Sequence, residues 1–201
     1  MTATDLSSYA GLVAVLLATL NICLGLLISV RYSPVRYWPH RKHINIFGIH
    51  TLTGYLVLAF VVLHPVLLLL VRSPRFRIID VLYPINSPQQ QTSNTLGGLG
   101  FYAIVLVVVT SIFRIAIGRT IWKRFHFLVY PAAALLYVHG LISDPTLNNK
   151  RVDYLDGEKI LVEACLLVVV AVSVWAWQFR VKKQKLEQML RVGRYSHATG
   201  D

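Results

Sequence analysis

Five runs of about twenty apolar residues, at 9–30, 44–71, 98–118, 122–142 and 160–179, constrain this chain more than any other feature. At about 1.5 Å rise per residue, a helix of that length spans a hydrocarbon layer roughly 30 Å thick. Charged residues are 14% of the chain, against about 25% in soluble domains, and they fall mostly between the runs. The sequence predicts an all-α integral membrane protein. One domain covers residues 1–201, a bundle of about five transmembrane helices that closes on a basic tail at 180–201.

The first run is expected to be a retained span. The eight residues ahead of it carry Asp5 and no Lys or Arg, the run is longer than a signal-peptide core, and Arg31 follows it. The net charge of +11 does not indicate nucleic acid, because the basic residues sit in short loops rather than on one soluble face. Counted by side, Arg31, Arg36, Arg41, Lys42, Arg114, Arg119, Lys123, Arg124 and the six cations of the tail share one surface. Arg72, Arg75, Arg77, Lys150, Arg151 and Lys159 share the other, with most of the acids. The positive-inside rule then puts the N-terminus outside and the C-terminus in the cytoplasm of a multi-pass cell-membrane protein. Tyr37 and Trp38 suit an interfacial belt. Cys23 and Cys165 lie inside apolar runs without metal or disulfide spacing, and Asn21 is expected to hydrogen-bond a neighbouring helix.

Four histidines lie inside the apolar runs: His50 and His64 in the second, His126 and His139 in the fourth. Ionisable groups in a bilayer are costly and point to function. His50 and His64 each stand eight residues from the nearest flanking cation, Lys42 and Arg72, which is roughly 12 Å of helix. The second and fourth spans run the same way, so His50 pairs in depth with His126, and His64 with His139. One imidazole from each of two neighbouring helices can fill both axial positions of a haem iron. Two haems stacked across the bilayer are the expectation, with the four histidines as iron ligands.

A spacing of fourteen rises about 21 Å and returns a side chain to within about 40° of its first face. A spacing of thirteen misses that face by about 140°, so either the fourth span is distorted, with Pro131 as the candidate kink, or the two haems are rotated relative to each other. Arg41, Lys42 and Arg124 on the inner side and Arg72 on the outer are candidates to meet haem propionates. Gly54, one turn after His50, and Gly97, Gly98 and Gly100 can admit a close helix or cofactor. The polar loop 72–97 carries no chemical signature, and His40, His43 and His197 read as ordinary polar residues of loops and tail.

His50 and His64 in one span, Val-Thr110-Ser111 leading to Arg114, and Trp122-Lys-Arg-Phe-His126-Phe-Leu-Val-Tyr130 leading to His139-Gly140 together resemble the ferric reductase-like transmembrane domain family. That family includes the membrane parts of NADPH oxidases and ferric reductases, and the bacterial haem subunit serving periplasmic methionine sulfoxide reductase. The resemblance covers roughly 43–179, with a weaker echo at Leu20-Asn21. It implies b-type haems that carry electrons from the cytoplasmic side outward. About twenty-two residues follow the fifth span, with no Gly-rich dinucleotide fingerprint, so flavin is expected only through a partner.

The leading reading is an oxidoreductase component, a transmembrane electron carrier. A separate flavoprotein reductase or a quinol would be its donor, with an extracytoplasmic acceptor. A quinol-linked haem subunit of a periplasmic oxidoreductase is the nearest alternative. A metal or proton transporter is the alternative from another class, although Glu163 is the one acidic residue well inside a span.

Overall fold

The computed structural model describes residues 2–30, 45–144, 146–147 and 153–198, with side chains placed as far as residue 189. Among them 83% of the fold is helix and no strand occurs. Among the described residues eight α-helices follow in order: α1 (Ala3–Ser29), α2 (Ile46–Leu68), α3 (Ile78–Leu82), α4 (Gln91–Ile112), α5 (Arg114–Ile117), α6 (Arg119–His126), α7 (Val129–Ile142) and α8 (Gly157–Ala198). Five stretches of the described residues are long and apolar enough to cross a bilayer: α1, α2, α4, α6 with α7, and α8 as far as Met189. The expected all-α, five-span membrane protein is the observed fold.

Local chemistry sets the ends. Thr2 and Asp5 form a reciprocal cap on α1, the Asp5 carboxylate accepting the Thr2 N–H at 2.7 Å and the Thr2 hydroxyl accepting the Asp5 N–H at 3.1 Å. The Asn45 side chain accepts the Gly48 N–H at 2.8 Å and starts α2. Gly118, at φ +78°, turns the chain between α5 and α6.

The third span begins at Gln91, ahead of the expected 98, and ends at Ile112. Its polar first turns are stabilised internally: Thr95 Oγ1 donates to Gln91 O at 2.7 Å, and Asn94 Nδ2 donates to Gln89 O at 2.8 Å. The loop expected over 72–97 therefore holds α3, a 3₁₀ turn at Pro84–Asn86 and the start of α4.

α1 lies along α2, and α4 along α7, as two antiparallel hairpins; α8 packs on α1 and α7. Ser8 Oγ donates to Glu158 Oε2 at 2.9 Å, and Arg180 Nη2 donates to Ser29 Oγ at 2.8 Å, so α1 and α8 run parallel and are joined near both ends. Ala14, Val57, Val61, Ile104 and Ala132 bury the seam where the two hairpins meet. Ile22, Leu26, Tyr137, Val162 and Cys165 bury the seam under α8. Asn21 bridges α1 and α2 as its position suggested, its Nδ2 donating to His50 O at 2.6 Å and Thr53 Oγ1 at 2.8 Å.

Candidate functional site

The fold brings the four span histidines together as two pairs, at two levels of the bundle. The His50 and His126 ring centres are 6.2 Å apart with planes at 75°. Those of His64 and His139 are 6.1 Å apart with planes at 70°. One member of each pair comes from α2 and the other from the far hairpin. Fourteen residues of helix separate the levels along α2, about 21 Å.

Each ring is held by the helix that shares its hairpin. His50 Nδ1 lies 3.0 Å from Asn21 O, His64 Nδ1 lies 2.7 Å from Ser7 O, and His139 Nδ1 lies 2.8 Å from Ser93 O. A carbonyl can only accept, so Nδ1 carries the proton in all three rings and Nε2 keeps its lone pair. Ser7 and Ser93 add the same second contact, their hydroxyls lying 3.1 Å from Nδ1 of His64 and His139. His126 differs: its Nδ1 faces the Ser111 hydroxyl at 3.4 Å.

A glycine sits four residues after each accepting carbonyl. A methyl at Gly11 would stand 3.1 Å from His64 Nδ1, one at Gly25 3.2 Å from His50 Cε1, and one at Gly97 2.9 Å from His139 Nδ1 and Cε1. These glycines let ring and backbone approach closely enough to bond. Ser7 with Gly11, Asn21 with Gly25 and Ser93 with Gly97 are therefore three copies of one seat. Gly98 packs against Pro84 and Gly100 against Leu136, while a methyl at Gly54 would meet the Asn21 side chain at 3.5 Å, an ordinary helix contact.

The fourth span is distorted between its histidines. α6 stops at His126 and α7 starts at Val129, with Leu128 N bonded to Phe125 O at 3.0 Å and Tyr130 N to Phe127 O at 3.2 Å. Pro131 has no N–H to offer Phe127 O, and its ring disfavours a regular turn there. Of the two expectations for the thirteen-residue spacing, a distorted helix is present.

Of the four predicted cations, Arg72 and Arg124 lie among the described residues. Arg72 and Arg124 are exposed, and neither is held by a hydrogen bond or ion pair to another described residue. Arg41 and Lys42 lie outside the described residues. Arg114 sits with its guanidinium carbon 5.1 Å from the Phe47 ring centre, a cation–π contact three residues from His50. Sequence reasoning missed Lys159. It is buried, donates to Gly140 O at 2.7 Å and to Ser143 O, and walls a cavity of about 390 Å³ beside His64 and His139.

The donor set tests which metal group fits. No cluster of three or more His, Cys, Asp or Glu occurs among the described residues, and a bare zinc-like ion takes three or four protein donors. A metal bringing four equatorial donors of its own needs two more, one from each side. With a metal–imidazole bond of about 2.0 Å, two imidazoles across one ion place their ring centres about 6.3 Å apart. Both pairs match that separation. The residues present fit haem.

The family described as ferric reductase like transmembrane component matches residues 10–137. This chain belongs to that family. The match takes in α1 from residue 10 on, where sequence reasoning saw only a weaker echo, and stops two residues short of His139, where the resemblance was expected to reach 179. Domains of the family generally bind haem, and membership makes the chain a multi-pass membrane component of electron transfer. Comparison with curated proteins and with solved structures gives no match.

Proposed function

We propose that this chain is a dihaem b-type cytochrome that carries electrons across a cell membrane, from the His50–His126 level to the His64–His139 level. The observation that carries the reading is the shared state of three rings, with Nδ1–H committed to a backbone carbonyl and Nε2 left as a base. A neutral imidazole whose far N–H is engaged is oriented and made more basic for a metal. Bound haem supplies the one-electron iron couple that the side chains lack. The protein sets ligand identity and spacing, and its apolar seams exclude water.

The basic loops next to the His50–His126 level support a cytoplasmic position for it. A separate flavoprotein or a quinol delivers electrons there, and an extracytoplasmic acceptor collects them beside His64 and His139. Arg72 and Arg124, with Arg41 and Lys42, are the cations available to propionates near the two surfaces.

Haem quantitation on purified protein tests the reading. Two haems per chain are expected, with His50→Ala, His64→Ala, His126→Ala and His139→Ala each losing about one. A colourless preparation from haem-replete cells refutes it and favours a transporter. One haem per chain, unaffected by one of the two pairs, refutes the two-level reading.

A further inference from the structure

The seat of the fourth ligand departs from the other three, and the departure is built from two side chains. Fourteen residues along α4 from Ser93 and Gly97 lie Val107 and Ser111. By the rule of the other seats, Val107 O would accept His126 Nδ1–H and residue 111 would be glycine. Instead the Ser111 hydroxyl donates to Val107 O at 2.7 Å, while Thr110 Oγ1, 3.1 Å from the same carbonyl, has its nearer acceptor in Leu106 O at 2.7 Å. The carbonyl is thus filled, and His126 Nδ1 meets Ser111 Oγ at 3.4 Å. Trp122 Nε1 donates to that same oxygen at 3.2 Å, and its indole leans on the His126 ring with centres 5.0 Å apart and planes at 32°. A hydroxyl has one proton and two lone pairs. Here the proton goes to Val107, and Trp122 and His126 share the lone pairs.

A shared hydroxyl at 3.4 Å is a poorer acceptor than a carbonyl at 2.7–3.0 Å. The N–H bond on the far side of a ligating imidazole sets how strongly it donates to the metal. Weaker donation stabilises the ferric state less and so raises the reduction potential. We infer that Ser111 and Trp122 hold His126 as the weakest donor of the four ligands, and that this pair raises the potential of the His50–His126 centre. Both are positioning residues, acting through His126. The inference rests on the haem reading above and assigns a tuning role within it.

The test is a spectroelectrochemical titration of the full-length protein, following the visible haem bands. Ser111→Gly frees Val107 O and recreates the seat found at Gly11, Gly25 and Gly97. Trp122→Phe keeps an aromatic face but removes the competing N–H. In both variants one of two haem potentials should fall, further in Ser111→Gly, while the other stays and two haems remain per chain. His64→Ala identifies the component that moves, since the surviving centre is then the one with His126. Two retained haems with unmoved potentials in both variants overturn the inference and leave the haem reading intact. If Ser111→Gly loses haem, Trp122→Phe alone decides, and an unmoved or raised potential there overturns the inference. A colourless wild type overturns both.

Discussion

Substituting alanine for Gly97 places a methyl group 2.9 Å from both Nδ1 and Cε1 of His139, and 3.1 Å from its Cγ. Non-bonded carbons settle near 3.5 Å, so ring and helix must part by about 0.6 Å. The bond that holds the ring runs to Ser93 O on the same helix, at 2.8 Å. Moved apart by that amount it reaches about 3.4 Å, beyond the ordinary N–H···O range. Overpacking of this kind costs about 1–3 kcal/mol. Alanine returns up to about 1 kcal/mol through its better helix propensity. The net loss is about 0–2 kcal/mol, and the larger consequence is a misplaced Nε2. Gly97→Ala should therefore lower haem content toward one per chain and lower the thermal midpoint in detergent. Gly157 is the control, since a methyl there meets nothing within 4 Å. If Gly97→Ala keeps both haems and matches Gly157→Ala in midpoint, the close ring seat does not matter and the reasoning fails.

Lys159→Met removes both donors from Gly140 O and Ser143 O at the end of α7, and leaving such carbonyls unpaired should cost about 1–3 kcal/mol; an unchanged unfolding midpoint would show that water replaces the lysine. The Asp80 carboxyl, outside the spans, is held below the usual carboxylate range chiefly by the side-chain hydrogen bonds from Arg77, and further by the Arg77 N–H. A depressed folded value means stability present above the unfolded value and lost as pH falls through the folded one. Amide exchange in α3 should accelerate on acidification, and Asp80→Asn should abolish that dependence. Pro131→Ala lets the turn ahead of it relax toward a regular helix and should cost haem at one level; two retained haems with unshifted spectra would count against a required distortion.

Much of this site was legible in the sequence. The apolar runs carry the spans because a bilayer demands about twenty such residues whatever surrounds them. The four histidines stood out because polar groups there are rare. What holds them was harder to see. Ser7 and Gly11 fall in or before the first run, where serine and glycine are ordinary, and Ser93 lies in a polar stretch that reads as loop. The signal was present as a period: a polar residue followed by glycine four later occurs at 7 and 11, again at 21 and 25, and again at 93 and 97. The step of fourteen between the first two repeats the step between His50 and His64. Lys159 escaped notice because its partners are backbone carbonyls, which no side-chain pattern reveals.

That shared step explains why the first hairpin holds two rings at once. Antiparallel helices of equal rise stay in register only when both advance by the same length. The register that joins His64 to Ser7 therefore also joins His50 to Asn21. The second hairpin lacks this equality, because α4 offers its seats fourteen apart while the histidines are thirteen apart. Thirteen residues of regular helix rise about 19.5 Å against about 21 Å for fourteen. A tightened turn rises about 2.0 Å per residue instead of 1.5 and turns about 120° instead of 100°. Three such residues recover the missing 1.5 Å or so and shrink the angular error from about 140° to about 80°. The two i→i−3 bonds at Phe125 and Phe127 supply that tightening, and Pro131 disfavours its return to a regular helix. The remaining angular error falls on His126 or His139. His139 keeps a full carbonyl seat and His126 does not, so the looser fit lies at the level where Ser111 stands in place of a glycine.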